Sequence, residues 1–406
     1  MRAEIITVGT EIMVGSIVNT NSKYLSSKLI ELGIEPCYHT SVDDNEERLT
    51  EVINIALQRA DLILTTGGLG PTQDDMTKEV IAKALDLELE KDIEIENEIA
   101  EKFNRMHRNM TNNNKKQALK PKNSEFIKNE NGTAPGIYID SNSKKIIMLP
   151  GPPKELIPMF EKYVLPILKQ DTNIIIKSIN TIGIGESALE VELKSLDIYE
   201  DNFDIATFAK DGTVEIKIIA KGSEIKTIEE KLNYKMQMIE EKIGSHIYGY
   251  NNIPIEEILI NLLREKQMKV SLCESCTGGL ISSKITKIPG ASLVFDRGLI
   301  TYSNNAKINE LNVSPYTLEK YGAVSEQTAY EMAKGLLEKT KSDIVLSITG
   351  IAGPDGGSKE KPVGLVYFCV MTSNRYKIIK EVFSGNRAAI QNRAALKALF
   401  EIKEFL

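Results

Sequence analysis

Three times in this chain a short apolar run ends in a turn of glycine and hydroxyl or acidic residues: Ala3 to Gly9, Asp61 to Gly70, and Lys269 to Gly279. Amphipathic helical spacing recurs between and after these runs, as in Asn21 to Leu32, Val52 to Ala60 and Leu280 to Ile288. Such alternation builds parallel strands covered by helices, the α/β class. Ligands then bind at the carboxyl ends of the strands, where these turns lie.

The last turn, SLCESCTGG at Ser271 to Gly279, places Ser275 and Cys276 at a strand-to-helix junction. Thr277, Gly278 and Gly279 are expected to begin the helix, with free N–H groups open to an anion or to the oxyanion of an attacked carbonyl. The three histidines, His39, His107 and His246, all precede the turn, so a C-terminal part folding alone has no histidine base. The base must then be Lys, Tyr, Asp or Glu. LITYSNNAK, at Leu299 to Lys307, offers Tyr302 and Lys307. A lysine base must fall about three units from its ordinary pKa of about 10.4, a shift that desolvation in a closed pocket supplies. Plainer readings stand beside this one. Ser275 also suits a helix cap, and Cys273 with Cys276 has the spacing of a redox pair or half a zinc site. Cys37 and Cys369 stand alone, which makes four zinc ligands hard to assemble.

Near the N-terminus, TTGGLGPTQDD runs from Thr65 to Asp75. Gly67, Gly68 and Gly70 allow backbone amides close to a phosphate, and Asp74 with Asp75 can hold a hard divalent cation against it. The alternatives are a tight turn and a solvated helix start. Phe103 to Lys122 carries Arg105, Arg108, Lys115, Lys116, Lys120 and Lys122 around a run of asparagines. It reads either as an exposed linker or as a mobile basic lid over a diphosphate.

With 406 residues the chain is too long for one core, and three domains are expected: 1–170, 171–250 and 251–406. The middle one reads as a small α+β unit with a helix over Ser187 to Leu196 and a strand pair around Asp211-Gly212. Acidic residues outnumber basic ones there, no GxxG clamp is present, and the expected role is spacing and dimerisation. Asn251 to Pro254 reads as a linker. C-terminal strands are expected at Lys269–Cys273, Gly298–Tyr302, Asp343–Thr349 and Val363–Met371. No apolar run reaches membrane-spanning length, the first residues do not read as a leader, and the few cysteines fit a reducing compartment, so a cytoplasmic location is expected. A net charge of −7 opposes general nucleic-acid binding.

Read with TGIAGPDGG (Thr349 to Gly357) and KPVG (Lys361 to Gly364), the C-terminal motifs resemble the CinA C-terminal family of nicotinamide mononucleotide deamidases. That family's signature is an ESCTGG turn, a TYSN-x-x-K segment and a GIAGPxGG loop; Cys273 departs from it, since a small residue is usual there. GGxGPTxDD, with GSIVNTN (Gly15 to Asn21), GTAPG (Gly132 to Gly136) and LPGPPKE (Leu149 to Glu155), resembles the molybdopterin-binding-like domain that opens CinA proteins. A KH-like domain lies between the two in that family.

The resemblance implies that Ser275 attacks the carboxamide carbon of nicotinamide mononucleotide, with Lys307, assisted by Tyr302, moving the proton, and without a cofactor. It implies that Thr277, Gly278 and Gly279 face the oxyanion or the phosphate, and that Thr349, Gly350 and Arg393 line the pocket; Arg393 is alternatively a surface charge. For the N-terminal domain it implies hydrolysis of ADP-ribose to AMP and ribose 5-phosphate with a divalent cation (Mg, Mn or Co). Asp74, Asp75 and Glu11 would be its ligands, with Gly67, Gly68, Gly70, Thr72 and Asn19 around the substrate; Glu11 is alternatively a helix-capping residue. A homodimer acting on small nucleotides is expected. The rival readings are a molybdopterin-binding module without hydrolysis and an accessory protein of DNA uptake.

Overall fold

The computed structural model describes residues 1–141, 143–169, 173–200 and 202–406; Asp171, the expected start of the middle domain, lies outside them. The chain divides into two compact units, Met1–Ile175 with Lys221–Ile225, and Ile176–Ala220 with Lys226–Leu406.

The first unit contains β1 (Arg2–Val8), β2 (Glu35–Val42), β3 (Leu62–Thr66), β4 (Leu89–Lys91), β5 (Leu119–Pro121), β6 (Glu125–Ile127), β7 (Gly136–Ser141) and β8 (Lys144–Leu149). Six of them form one sheet in the order β2-β1-β3-β8-β7-β6. β2, β1, β3 and β8 run parallel, whereas β7 and β6 fold back antiparallel. Both faces are covered, which is why β1 and β3 are apolar at successive positions rather than alternate ones. Ile6 and Ile63 pack with Ile53 and Ile81 on one face; Ile5 and Leu64 pack with Leu25 and Phe160 on the other.

The basic stretch after Phe103 has a defined secondary structure. It closes the helix Ile93–Arg105, forms a 3-10 turn over Asn112–Ala118 capped by Thr111 with Asn114, and enters β5. Asn114 and Gln117 are buried, and Lys116 donates to the carbonyls of Thr72 and Asp75 and pairs with Glu79 at 3.5 Å. Within the run of asparagines, Asn114 has the internal partners, accepting from Thr111 N–H and Oγ1 at 3.1 and 2.8 Å and donating to Gln117 Oε1 at 3.3 Å.

The second unit contains β10 (Phe203–Lys210), β12 (Ile247–Tyr250) and, from Ile176 and up to Ala220 respectively, β9 (Asn173–Ile182) and β11 (Thr213–Gly222), in a sheet ordered β10-β11-β9-β12. β10 and β11 form a hairpin that turns at Asp211-Gly212. A second sheet, β14-β13-β15-β16-β17, comprises β13 (Val270–Glu274), β14 (Phe295–Ile300), β15 (Ile344–Gly350), β16 (Leu365–Met371) and β17 (Tyr376–Val382). β14, β13 and β15 are parallel, and β16 and β17 complete the sheet antiparallel. β17 carries Lys377, Lys380 and Glu381 on an edge position, a composition without a buried strand's signal.

Asn251 to Pro254 is not a free linker. Asn251 and Asn252 take left-handed backbone (φ 55° and 58°), and Asn251 N–H donates to Ser178 O at 2.8 Å. Asn252 and Ser178 both donate to the buried Glu215 carboxylate, at 2.7 and 2.8 Å, and Lys210 pairs with it at 2.8 Å. Ile182 of β9 shares a core with Ile255, Leu259 and Leu396. Among the described residues no helix is long and apolar enough to cross a membrane.

Helix Glu326–Thr340 crosses the end of helix Asn304–Leu311 at Gly335, where an added Cβ would lie 1.8 Å from Leu311 O. Gly335→Ala should therefore lower stability by about 1–3 kcal/mol, seen as a fall in the urea midpoint at constant slope. An unchanged midpoint would mean the two helices separate without cost.

Candidate active sites

β13 is fully buried and delivers Ser275 at its carboxyl end, where Ser275 N–H donates to Ile348 O of β15 at 3.1 Å. The residues that follow do not begin a helix, as the sequence had implied. Gly278 and Gly279 are both left-handed (φ 61° and 97°), and helix Leu280–Thr286 starts only after them. Its first amides are not open to a ligand either. Glu274, fully buried, accepts from the N–H groups of Gly279, Ile281 and Ser282 at 3.0, 3.2 and 2.9 Å, and from Ser282 Oγ at 2.7 Å. A carboxylate inside the chain thus occupies the positive end of that helix. Among the described residues, the N–H groups of Cys276 and Thr277 take no acceptor, and the buried Thr277 Oγ1 has no partner. These are the unpartnered polar groups of the two residues that follow Ser275.

Lys307 comes from the first turn of helix Asn304–Leu311, which Ser303 caps by accepting from Ala306 N–H. Only 1% of Lys307 is exposed, and Nζ lies 3.0 Å from Ser275 Oγ, 2.8 Å from Thr301 O and 3.4 Å from Tyr302 O. Desolvation holds its pKa below the ordinary lysine value. Tyr302 meets the lysine through its backbone carbonyl; its phenol is exposed and accepts from Arg387 Nη2 at 3.0 Å. Burial pushes the Cys276 thiol up to about 12 and Cys273 well above its ordinary value, so both are protonated at neutral pH.

Thr349 lies next to last in β15 with Oγ1 donating to Ala323 O at 2.7 Å, and Gly350 ends the strand where an added Cβ would meet Val366 at 2.7 Å. Arg393 does not join this site. It is bonded to Asp211 Oδ1 at 3.2 Å and to Ser384 O at 2.7 Å. Earlier on the same C-terminal helix, Arg387 holds Gly353 O (2.8 Å) and Tyr302, and Gln391 holds Cys276 O (2.7 Å). Sequence reasoning missed both; the helix's 3.6-residue repeat puts 387 and 391 on one face and 393 off it.

In the first unit a cleft of about 360 Å3 gathers Glu11, Gly67, Gly68, Gly70, Asp74 and Asp75. Its glycines answer to packing. An added Cβ would lie 2.1 Å from Val8 O at Gly67, 2.1 Å from Thr77 Oγ1 at Gly68 and 2.3 Å from Asp75 Oδ2 at Gly70. Thr72 donates its N–H to Asp75 at 3.0 Å, and its hydroxyl lies against both Asp74 and Asp75. Asp44 and Glu155, which sequence reasoning passed over, line the same cleft. Asn19 does not line it: its side chain caps helix Thr20–Glu31 and donates to Thr7 Oγ1 at 2.9 Å. Among the described residues no three His, Cys, Asp or Glu side chains are grouped to hold a metal ion. The donor chemistry nonetheless suits a hard cation, since magnesium is commonly held by one or two carboxylates together with substrate phosphates.

Matches to family models fall on three segments: a probable molybdopterin binding domain at 4–170, the damage-inducible protein CinA KH domain at 176–249 and the CinA C-terminal domain at 252–406. Fold and motifs thus define a three-domain α/β protein of the molybdopterin-binding-like, KH-like and CinA C-terminal order. The putative competence-damage inducible protein of Thermoanaerobacter pseudethanolicus is 48% identical over 408 residues, covering 100% of this chain and 98% of that one. The CinA-like protein of Dictyoglomus thermophilum is 44% identical over 401 residues, covering 98% of each. The chain belongs to the CinA family. Among solved structures, the competence/damage inducible protein CihA from Agrobacterium tumefaciens is 41% identical, covering 37% of this chain and 94% of that one, with a TM-score of 0.36.

Glu274→Ala would strand the three N–H groups it now accepts, at about 1–3 kcal/mol for each buried donor left unpaired. Glu274→Gln, which keeps an acceptor oxygen, should fall between it and the parent in urea unfolding. Equal stability of all three would remove the capping role.

Proposed function

We propose that the second unit hydrolyses the carboxamide of nicotinamide mononucleotide, giving nicotinate mononucleotide and ammonia. The observation that carries this reading is the 3.0 Å contact between the buried Lys307 Nζ and Ser275 Oγ. A neutral amine spends its two N–H groups on the carbonyls of Thr301 and Tyr302, and its lone pair is then turned to the Ser275 hydroxyl. Ser275 Oγ bonds to the amide carbon as its proton passes to Lys307, and the amides of Cys276 and Thr277 face the developing oxyanion. Collapse breaks the C–N bond, Lys307 returns the proton to the departing ammonia, and water hydrolyses the acyl-enzyme. Arg387, not Arg393, supplies the fixed positive charge beside Tyr302 at this site. The assay is ammonia release from the nucleotide by the full chain.

Ser275→Ala should lower turnover by about three orders of magnitude or more, whereas Cys276→Ala keeps most of it because that thiol is protonated. Loss of turnover in Cys276→Ala, with Ser275→Ala still active, would reverse the assignment.

The pH profile follows from the sign of the lysine shift. Below its pKa Lys307 is charged and has no lone pair, so kcat/KM should rise with pH through that pKa and level off above it. Since burial lowers the value, the midpoint should lie below the ordinary lysine value of about 10.4; a midpoint above it would rule out Lys307 as the base.

We infer that the first unit is a cation-dependent ADP-ribose pyrophosphatase, on the joint placement of close-packed glycines and the Asp74-Asp75 pair in one cleft. Asp74 and Asp75 would hold the cation, which supplies charge neutralisation to the diphosphate. Asp75→Asn should reduce AMP release at least about tenfold and raise the metal concentration needed for half-maximal rate. Full activity in excess chelator would overturn the cation's role.

A further inference from the structure

Within the second unit a cavity of about 560 Å3 lies between the β10–β11 hairpin, the loop after β9 and the C-terminal helix. It is separate from the Ser275 site and of a size that suits a small ligand. Gly183 is left-handed (φ 75°), so the backbone of Gly183 to Gly185 forms one wall.

The lining is mixed in charge. Lys210, Arg393 and Lys397 face it together with Glu186 and Glu381. The cations are already matched: Arg393 to Asp211 at 3.2 Å, Lys397 to Glu401 at 2.8 Å and to the lining Glu381 at 3.4 Å, and Lys210 to Glu215 at 2.8 Å. A balanced lining of this kind disfavours a polyanion, which would meet the carboxylates, and suits a ligand carrying both signs. Phe383 adds aromatic surface, against which a planar cation is attracted, whereas the Phe400 ring already carries Lys397 Nζ at 5.4 Å and Lys403 Nζ at 5.7 Å. His246 donates through Nδ1 to Ile182 O at 3.1 Å, which leaves Nε2 as an acceptor on the same wall.

We propose that this cavity is an effector site for a pyridinium nucleotide, whose ring is cationic and whose phosphate is anionic. The link to turnover is the C-terminal helix, and this part of the proposal rests on the deamidase reading. Asp211 at the hairpin tip holds Asn392 and Arg393, while Gln391 and Arg387 of the same helix hold Cys276 and Tyr302. A ligand that competes for Arg393 bears on the helix seating that the Ser275 site shares.

The test uses the full chain. Equilibrium titration with nicotinamide mononucleotide is run on Ser275→Ala, which blocks turnover, and on the same protein carrying Ala209→Trp or Ser245→Trp, two exposed rim positions that fill the cavity. Melting curves confirm that each variant is folded. The number of sites should fall by one, or one affinity by at least about tenfold, in both rim variants. Isotherms unchanged by either rim substitution overturn the site. In the parent enzyme, NAD should shift the KM for the mononucleotide, and the shift should vanish in the rim variants; a shift that persists in them, or none in the parent, overturns the coupling. Failure of the deamidase reading shows separately, as absence of ammonia from the parent chain.

Discussion

The second unit is organised around one unfavourable act, the burial of the Lys307 amine. Desolvating an ammonium is costly, and the chain offsets this with two carbonyls, those of Thr301 and Tyr302, at the exit of β14. The remaining direction points to Ser275. That geometry requires β13 and β14 to be adjacent and parallel, so that both strands end at the same edge of the sheet. It also requires the helix bearing Lys307 to be held down, which the close approach at Gly335 achieves. A serine or lysine placed a turn away on either element would lose the 3.0 Å contact between Nζ and Oγ.

Carboxylates stabilise the strand-end loops in both units. In the second, Glu274 occupies the first amides of the next helix and leaves the amides of Cys276 and Thr277 nearest the nucleophile. In the first, Asp75 sits over Gly70 and binds Thr72, while Lys116 grips the carbonyls of the same loop from behind. The glycines are required for opposite reasons. Gly278 and Gly279 meet a backbone requirement for positive φ, whereas Gly70 makes room for a neighbouring carboxylate.

The middle domain is distinct as a family match yet packs as part of the C-terminal unit. Its link through Asn251 and Asn252 is tied by Glu215, and its hairpin tip is bonded to the C-terminal helix. Deleting it would therefore uncover the apolar surface of Ile255, Leu259 and Leu396 that shares a core with Ile182, and release the Asp211 contacts on the helix that carries Arg387 and Gln391.

What the sequence by itself determined is what local pattern can carry. Apolar runs ending in small residues marked β1, β3 and β13; their loop motifs and the absence of downstream histidine pointed to Ser275, Lys307 and the Asp74-Asp75 pair. Such signals are short-range, set by backbone periodicity and by which side chains can do which chemistry. Tertiary structure alone decided the rest. Whether Arg387 or Arg393 faces the site depends on how the C-terminal helix is rotated against its sheet, and Asn19 became a cap because Ser22 and Thr7 lie beside it. Glu274 closed a helix end that composition left open, since a buried carboxylate takes the nearest donors it is folded against. Asn251 to Pro254 became a tied turn for the same reason: its partners, Ser178 and Glu215, are distant in sequence and meet it only once the sheet has formed.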